Sequence, residues 1–306
     1  MLHEDHRILQ ETFESLATEF RPHLSPDLRG ESIFADGLRL KVEEVWVQCG
    51  DARLYGEIHV PDSFPAPGLV ICHFMDARGF HGLKIYSMLA ERACRAGFVS
   101  VVFDFRGVGK STGSFDYGVA EQQDVKCVLN FLAARPEVKP DDIFVVGHSL
   151  GAGVSLYAVQ SDTRIKGLVL WSPPKNHDYN VKKFIRRTRG RKGLFAFLIL
   201  SRLDRFVDVS RVFKMEAFGI NLDPKEVRGK LMKLNEAEVV SKLHGIPVLI
   251  VIGDSDSIHG EDEAQAVFAS ANEPKELFVV KSAGPTYEGK EEELISKTLE
   301  WIEKWK

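Results

Sequence analysis

One serine in this sequence stands in a setting that suits nucleophilic chemistry. Ser149 lies between Gly147 and Gly151 in the spacing G-x-S-x-G. The apolar residues 143–146 predict a buried strand before it, and residues 152–160 are compatible with a helix after it. A tight turn from strand to helix needs neighbours without bulky side chains, because the two elements approach closely there. The pattern therefore predicts a strained turn that presents the Ser149 hydroxyl above a sheet.

A serine that attacks a carbonyl carbon also needs N–H groups that bind the oxyanion. The N–H of Leu150 follows the serine directly, and we expect it to be one donor. The N–H of Met75, in the loop after the apolar run 69–72, is expected to be the other. His73 lies in the same loop, and we expect its ring to be satisfied by hydrogen bonds that orient the loop.

A second glycine-rich loop spans residues 104–113 and contains a Lys-Ser-Thr sequence. A phosphate-binding loop of the type G-x-x-x-x-G-K-[ST] requires glycine at its first position, where this chain has Asp104. We therefore expect a structural turn, in which Asp104 and Arg106 are held by hydrogen bonds or a local ion pair.

The composition narrows the class of protein. A net charge of −4, with 44% hydrophobic and 27% charged residues, is ordinary for a soluble protein and predicts no nucleic-acid partner. The N-terminal residues 1–6 are too polar for a secretory signal, and the longest apolar run, residues 194–200, is too short to cross a bilayer. Cys72 and Cys127 lie in apolar runs, and we expect buried free thiols and a cytoplasmic location.

Apolar runs alternate with helical patterns along most of the chain. Residues 45–48 and 54–60 predict an antiparallel pair of strands, and residues 4–20 predict an amphipathic helix. Further apolar runs predict strands at 69–72, 99–103, 143–146, 165–171, 248–252 and 277–280. Strands that alternate with helices predict a mostly parallel sheet with helices on both faces.

Residues 175–240 interrupt this alternation and contain no clear strand. A basic run at 182–192 is followed by the apolar residues 194–200 and then by helical patterns. We expect a helical cap, inserted between two strands of the core. The basic run is expected to be a solvated helix face, with contact to an anionic acyl ligand or a membrane surface as the alternatives.

These motifs together resemble the α/β-hydrolases, and within them the small esterases and dienelactone-hydrolase-like serine hydrolases. The resemblance is carried by residues 73–75, 104–113, 147–151 and 253–256, in family order. It implies an α/β-hydrolase fold: a mostly parallel central sheet, helices on both faces and a helical cap insertion. We divide the chain into three regions. Residues 1–30 form an N-terminal helical extension, residues 31–174 and 241–306 form the core, and residues 175–240 form the cap.

The resemblance implies a triad in the order serine, acid, histidine. Asp256 stands at the position of the acid, whereas Asp254 suits a turn or capping role better. The family carries its histidine in a stretch that resembles G-A-x-H-x-F, and this chain has Pro285 at that position. Proline has no group that could accept a proton, so the base must be found elsewhere.

Three hypotheses about the base remain open. His259 is the only histidine after Asp256 and could lean toward Ser149, although it could equally be an exposed loop residue. His177 could reach the serine from the cap. In the third case the chain has no general base at all, which would leave a poor esterase or a binding protein.

We expect a serine hydrolase of a carboxylic ester or thioester with Ser149 as the nucleophile, Asp256 as the acid and His259 as the candidate base. The alternatives are a catalytically impaired protein of this fold that binds a ligand under its cap, and a lyase that uses the same pocket. We expect no cofactor and no metal, because no His, Cys, Asp or Glu cluster has the spacing of a zinc site. The expected partner is a small acyl ester or thioester and not a nucleic acid; membrane contact through the cap and a homodimer stay open.

Overall fold

The structure is a computed structural model that describes residues 32–33, 39–203 and 214–306. The helix predicted at residues 4–20 and the N-terminal extension at 1–30 lie outside the described residues. Two cap aromatics, Phe206 and Phe213, also lie outside them.

The described residues form a nine-stranded sheet with the strand order β1-β2-β3-β5-β4-β6-β7-β10-β11. Its strands are β1 (Ser32–Ile33), β2 (Arg39–Cys49), β3 (Ala52–Val60), β4 (Ala66–Cys72), β5 (Val99–Phe103), β6 (Val138–His148), β7 (Ile165–Trp171), β10 (Val248–Gly253) and β11 (Lys275–Val280). From β5 to β11 all neighbours pair in parallel, while β1, β2 and β3 form an antiparallel edge. The predicted parallel sheet with an antiparallel edge pair is confirmed.

Helices cover both faces of this sheet. They are α1 (Ile85–Arg95), α2 (Glu121–Ala133), α3 (Leu150–Val159), α4 (His177–Leu203), α5 (Pro224–Gly229), α6 (Glu236–Val240), α7 (Glu261–Ser270) and α8 (Glu291–Glu303). Successive side chains of a strand point to opposite faces. In β4, Val70 and Cys72 pack into the core beneath α2, α3 and α7. Leu69 and Ile71 pack into a second core beneath α1 and α8.

The inserted segment between β7 and β10 begins with α4, in which Gly190 has the non-helical angles φ 66° and ψ −174°. A short hairpin follows, formed by β8 (Met215–Ala217) and β9 (Ile220–Leu222). The prediction that this segment contains no strand is therefore wrong. Phe218 and Gly219 both have positive φ, 51° and 77°, which suits the tight turn of a two-residue hairpin loop. Strands of three residues are too short for a visible alternation of apolar and polar residues.

The sequence predicted a free thiol at Cys127. In the structure, Cys127 instead forms a disulfide with Cys49. The two residues are 78 positions apart, and the fold places the end of β2 beside α2, with a Cα–Cα distance of 5.8 Å. Cys72 and Cys94 are buried and free, which confirms the prediction for Cys72. In the described segments, no helix is both long enough and apolar enough to cross a membrane.

Candidate active site

Ser149 occupies a strained turn between β6 and α3, as the sequence predicts. Its backbone has φ 52° and ψ −116°, a conformation that residues with a side chain rarely adopt. A Cβ atom on Gly147 would lie 2.5 Å from the carbonyl oxygen of Gly151. One on Gly151 would lie 2.3 Å from the carbonyl oxygen of His73. The two glycines therefore let the strand, the helix and the loop after β4 meet around the serine.

The partner of the serine hydroxyl is His259. Its Nε2 atom lies 3.0 Å from Ser149 Oγ, within hydrogen-bond distance. His259 belongs to the loop between β10 and α7 and is only 5% exposed. The alternative that it is an exposed loop histidine is therefore wrong.

Asp256 contacts the main chain of the histidine and not its ring. Asp256 Oδ1 accepts the N–H groups of Ile258 and His259 at 2.8 and 3.0 Å. Among the described residues, the buried Oδ2 atom has no hydrogen-bond partner. The carboxylate that was expected to orient the imidazole thus orients the loop that carries it.

Two other side chains face the second ring nitrogen of His259. Asn180 Nδ2, from α4, lies 3.3 Å from His259 Nδ1. Glu263 Oε2, from α7, lies 4.0 Å from the same atom. Neither residue was identified from the sequence. The spacing of His259 and Glu263, four residues apart where a helix starts, is a local signal that could have suggested the carboxylate. Asn180 has no such signal, because only the packing of α4 against the core brings it near.

Burial decides the charge of this histidine. It lowers the pKa of His259 to about 4, an effect that the negative charge of Asp256 opposes and that His177 and Lys183 reinforce. The ring is therefore neutral near pH 7, so that one of its nitrogens can accept a proton. Lys183 donates to the carbonyl oxygen of His259 at 2.8 Å and pairs with Glu263 Oε1 at 3.2 Å.

The other histidine considered as a base is engaged elsewhere. His177 Nε2 lies 3.1 Å from Glu236 Oε1, and both side chains are buried. The same Glu236 oxygen would lie 2.5 Å from a Cβ atom on Gly153, so this pair packs directly against α3. In this structure His177 lies beside Glu236 and joins the inserted segment to the core.

A buried hydrogen-bond chain connects the loop after β4, the elbow and the loop after β11. The Phe74 N–H donates to Tyr86 Oη at 3.0 Å, and Tyr86 Oη lies 2.7 Å from His148 Nδ1. His148 Nε2 lies 2.9 Å from the carbonyl oxygen of Pro285. Since that carbonyl can only accept, Nε2–H is the donor, and Nδ1 accepts from the tyrosine hydroxyl. Burial, which lowers the pKa of His148 to about 4, favours this neutral ring.

The two predicted oxyanion donors lie in segments that meet at the elbow. Among the backbone hydrogen bonds that the described residues make outside their helices and strands, none uses the N–H of Met75 or of Leu150. His73 holds the Met75 loop, since its Nε2 accepts the Phe105 N–H at 3.2 Å and its Nδ1 bonds to the carbonyl oxygen of Phe74. The prediction of a satisfied, loop-orienting His73 is confirmed.

A small, mostly apolar pocket adjoins the serine. It is lined by Phe74, His148, Ser149, Phe218, Ile258, His259, Pro285 and Thr286. Phe218 comes from the turn of the β8–β9 hairpin, and its ring packs edge-on against Phe74 at a centroid distance of 5.1 Å. The Phe218 carbonyl oxygen also accepts the Ala77 N–H at 3.0 Å. The inserted segment therefore forms part of the pocket wall.

The remaining motif residues are structural. Asp104 accepts the N–H groups of Phe80 and Lys110 at 2.9 and 2.8 Å, and Arg106 pairs with Asp124 at 2.7 Å. These contacts confirm the predicted turn, with Asp124 as the ion-pair partner.

Asp254 likewise has the turn role predicted for it. Its Oδ1 atom accepts the Ser282 N–H at 2.7 Å and so joins the loops after β10 and β11.

Across the described segments, no group of three or more His, Cys, Asp or Glu side chains is arranged to hold a metal ion.

Known proteins share this architecture. The chain is 25% identical to an uncharacterised 31.7 kDa protein of Escherichia coli over 238 residues, which cover 69% of this chain and 80% of the relative. It is 37% identical to a thiohydrolase of Arthrinium phaeospermum over 92 residues, 29% of this chain and 30% of the relative. Est1E of Butyrivibrio proteoclasticus, solved with bound ferulic acid, has the same fold, with a TM-score of 0.66, 20% identity and coverage of 85% and 98%.

The profile of the alpha/beta hydrolase family matches residues 67–289. This span contains the elbow, the pocket residues of the loops after β10 and β11, and the segment inserted between β7 and β10. The resemblance that the sequence motifs suggest is confirmed, as is the predicted fold with its mostly parallel sheet and helices on both faces. The chain belongs to the alpha/beta hydrolase family.

Proposed function

We propose that this protein is a serine hydrolase that cleaves a carboxylic ester or thioester through Ser149. The contact of 3.0 Å between Ser149 Oγ and His259 Nε2 carries the proposal. A hydroxyl becomes an effective nucleophile when a neighbouring base takes its proton as the bond to carbon forms. The neutral His259, supplied by the loop after β10, is that base, in a triad that departs from the usual arrangement.

In the first half of the reaction, Ser149 Oγ attacks the acyl carbon while its proton passes to His259 Nε2. The carbonyl oxygen becomes an oxyanion, which the N–H groups of Met75 and Leu150 stabilise. When the tetrahedral intermediate collapses, the bond to the alcohol or thiol breaks, and the His259 proton passes to the leaving group. The acyl group is then an ester of Ser149.

In the second half, water replaces the leaving group. His259 takes a proton from the water as its oxygen attacks the acyl carbon, and the same two N–H groups hold the second oxyanion. Collapse returns the proton to Ser149 Oγ and releases the carboxylic acid. One water is consumed for each ester or thioester that is cleaved.

The pocket wall indicates what kind of acyl group fits. Phe74, Phe218, Ile258 and Pro285 give it an apolar surface beside the serine. Such a wall favours an apolar or aromatic acyl group over a charged one. The partial match to a thiohydrolase and the fold shared with a structure that holds ferulic acid support a small acyl ester or thioester as the substrate.

A fluorophosphonate probe tests the proposal, because it reacts only with an activated serine. We expect a single adduct on the peptide that contains Ser149, and none in the Ser149→Ala variant, measured by mass spectrometry of the digested protein. An unlabelled parent protein would overturn the proposal and favour the rival function, a catalytically impaired member of the fold that binds a ligand under its cap.

A cytoplasmic location remains part of the proposal, and the Cys49–Cys127 disulfide provides its test, because disulfides are rare in reducing compartments. Although the two cysteines are bonded in this structure, we expect alkylation of freshly lysed cells to find them reduced, because the thiol buffers of the cytoplasm reduce most protein disulfides. Recovery of the protein with this disulfide intact would contradict that location.

A further inference from the structure

The mechanism requires one particular tautomer of His259. Its Nε2 atom can accept the Ser149 proton only if the hydrogen of the neutral ring is on Nδ1. In a serine triad the acidic residue maintains this tautomer and stabilises the imidazolium that forms during attack. The residue that performs this role must therefore offer an acceptor to Nδ1.

Asp256 does not offer that acceptor in this structure. Its Oδ1 atom is occupied by the N–H groups of Ile258 and His259, and its Oδ2 atom has no hydrogen-bond partner among the described residues. Its charge acts on the ring without a hydrogen bond. The groups in front of Nδ1 are instead the Asn180 amide at 3.3 Å and Glu263 Oε2 at 4.0 Å.

The orientation of the Asn180 amide determines which tautomer it supports. With Nδ2 toward the ring, the amide donates to Nδ1, and the hydrogen of the imidazole is then on Nε2, facing Ser149. With the amide turned by 180°, Oδ1 accepts the Nδ1–H that catalysis needs. The two orientations exchange the amide oxygen and nitrogen, and only the first lets the amide also donate to the Glu263 carboxylate. In the first orientation the buried Oδ1 has no hydrogen-bond partner within the described residues.

Glu263 supplies the negative charge that selects between the two tautomers of the His259 ring. Its side chain is fully buried, and its carboxylate is held by the Lys175 N–H at 3.3 Å and by Lys183 Nζ at 3.2 Å. Burial raises its pKa, and hydrogen bonds from the Lys175 N–H, Lys183 and the Asn180 amide act against that shift and favour the charged form. A carboxylate at this distance favours a proton on Nδ1 and stabilises a positive ring.

We propose that Glu263 is the positioning carboxylate of His259, acting with the Asn180 side chain, while Asp256 shapes the loop. This inference rests on the proposed function, because it assigns the group that prepares the base of that reaction. Since Asn180 and Lys183 both belong to α4, the first turns of the cap helix complete the surroundings of the base.

Several charged or titratable groups surround the ring and bear on any pH measurement, among them the buried His148 of the elbow. Asp256 lies on its own loop, Glu263 comes from α7, and Lys183 and His177 come from α4. A test must therefore change one carboxylate at a time, and must keep each position's capacity to accept hydrogen bonds.

Three variants separate the two carboxylates by the rate of fluorophosphonate labelling. We expect Glu263→Gln to slow labelling by about 10³–10⁴, the effect of neutralising the acid of a serine triad. Asp256→Asn keeps an oxygen for the two main-chain N–H groups, so we expect labelling within about tenfold of the parent. Asn180→Asp in the Glu263→Gln background places a carboxylate oxygen 3.3 Å from Nδ1, and we expect it to restore labelling at least about tenfold. Equal losses for the two single variants, or no restoration, would overturn the proposal.

Nitrogen-15 spectra of the imidazole report the tautomer without any turnover, with His259→Gln used for assignment. We expect the Nδ1–H form in the parent and in Asp256→Asn, and a shift toward Nε2–H in Glu263→Gln. The same tautomer in the parent and in Glu263→Gln, or loss of Nδ1–H in Asp256→Asn, would contradict the role of Glu263. One outcome separates the two proposals: a parent protein that is not labelled by the fluorophosphonate but whose Nδ1–H depends on Glu263. That result would refute the proposed hydrolase activity and leave the positioning role of Glu263 intact.

Discussion

The loops that follow β10 and β11 leave neighbouring parallel strands at the same edge of the sheet, yet they have different roles. The β10 loop, residues 254–260, brings His259 Nε2 to 3.0 Å from Ser149 Oγ. The β11 loop, residues 281–290, contains Pro285 where the family resemblance places the histidine. Its Pro285 carbonyl oxygen bonds to His148, and Tyr287 is buried beneath it. In the proposed mechanism the β10 loop supplies the base, while the β11 loop braces the elbow through the Pro285 contact with His148.

In the proposed mechanism, the sheet edge and not the order of residues in the chain determines where the base can lie. Adjacent parallel strands deliver their loops to the same place, so that a histidine on either loop can approach the serine. Moving the base to the β10 loop places it only three residues after Asp256, whose carboxylate then bonds to the loop itself. A carboxylate from the next helix, Glu263, faces the ring instead.

A large gain in activity is expected when the base is moved from one loop to the other. In a His259→Ala background, Pro285→His returns an imidazole to a position that lines the pocket beside Ser149. We expect hydrolysis of short p-nitrophenyl esters to rise by about 10², the lower end of what a general base contributes. No gain over His259→Ala would mean that the β11 loop cannot present a base, and would count against the alignment of residues 282–289.

Tyr86→Phe tests the chain of hydrogen bonds that joins the two sides of the site. The change removes the hydroxyl that bonds to the Phe74 N–H and to His148. We expect kcat for p-nitrophenyl esters to fall about tenfold, because two buried hydrogen bonds, each worth about 1 kcal/mol, are lost and the Met75 loop loosens. An unchanged kcat would show that these hydrogen bonds do not support the oxyanion site.

Tyr287→Phe applies a similar change to the bracing loop. The Tyr287 hydroxyl donates to the Val251 carbonyl oxygen at 3.2 Å and lies 2.8 Å from Ser172 Oγ. We expect the free energy of unfolding in urea to fall by about 1 kcal/mol, with ester turnover close to that of the parent. A loss of turnover larger than that of Tyr86→Phe would erase the distinction between the loops.

The smallest change is expected in the pH profile of the parent. The base is active when neutral, and burial lowers the pKa of His259 to about 4, so labelling of Ser149 should stay nearly constant from pH 8 down to pH 5 and fall near pH 4. A histidine with an ordinary pKa of about 6.5 would lose activity already below pH 7. Measured labelling rates that halve near pH 6.5 would show that the ring is more exposed to water than the structure indicates.

The parts of the molecule that the sequence predicts are those with local causes. Apolar runs and glycines specify β6 and the turn at Ser149, and short runs separated by helices specify the parallel sheet. The sequence could not show that Cys49 and Cys127 meet, or that Asn180 faces His259, because both contacts depend on how distant elements pack. The sequence did not predict the β8–β9 hairpin, because strands of three residues are too short to show an alternation of apolar and polar residues.

The central claim is that His259, from the β10 loop, is the base of Ser149. Its most direct test is the rate of fluorophosphonate labelling of Ser149 in His259→Ala, with His244→Ala, a change at an exposed histidine, as the matched control. We expect the His259→Ala rate to fall by at least about 10³, since a triad serine without its histidine loses most of its reactivity, and the control to match the parent. Labelling of His259→Ala at the parental rate would contradict the account.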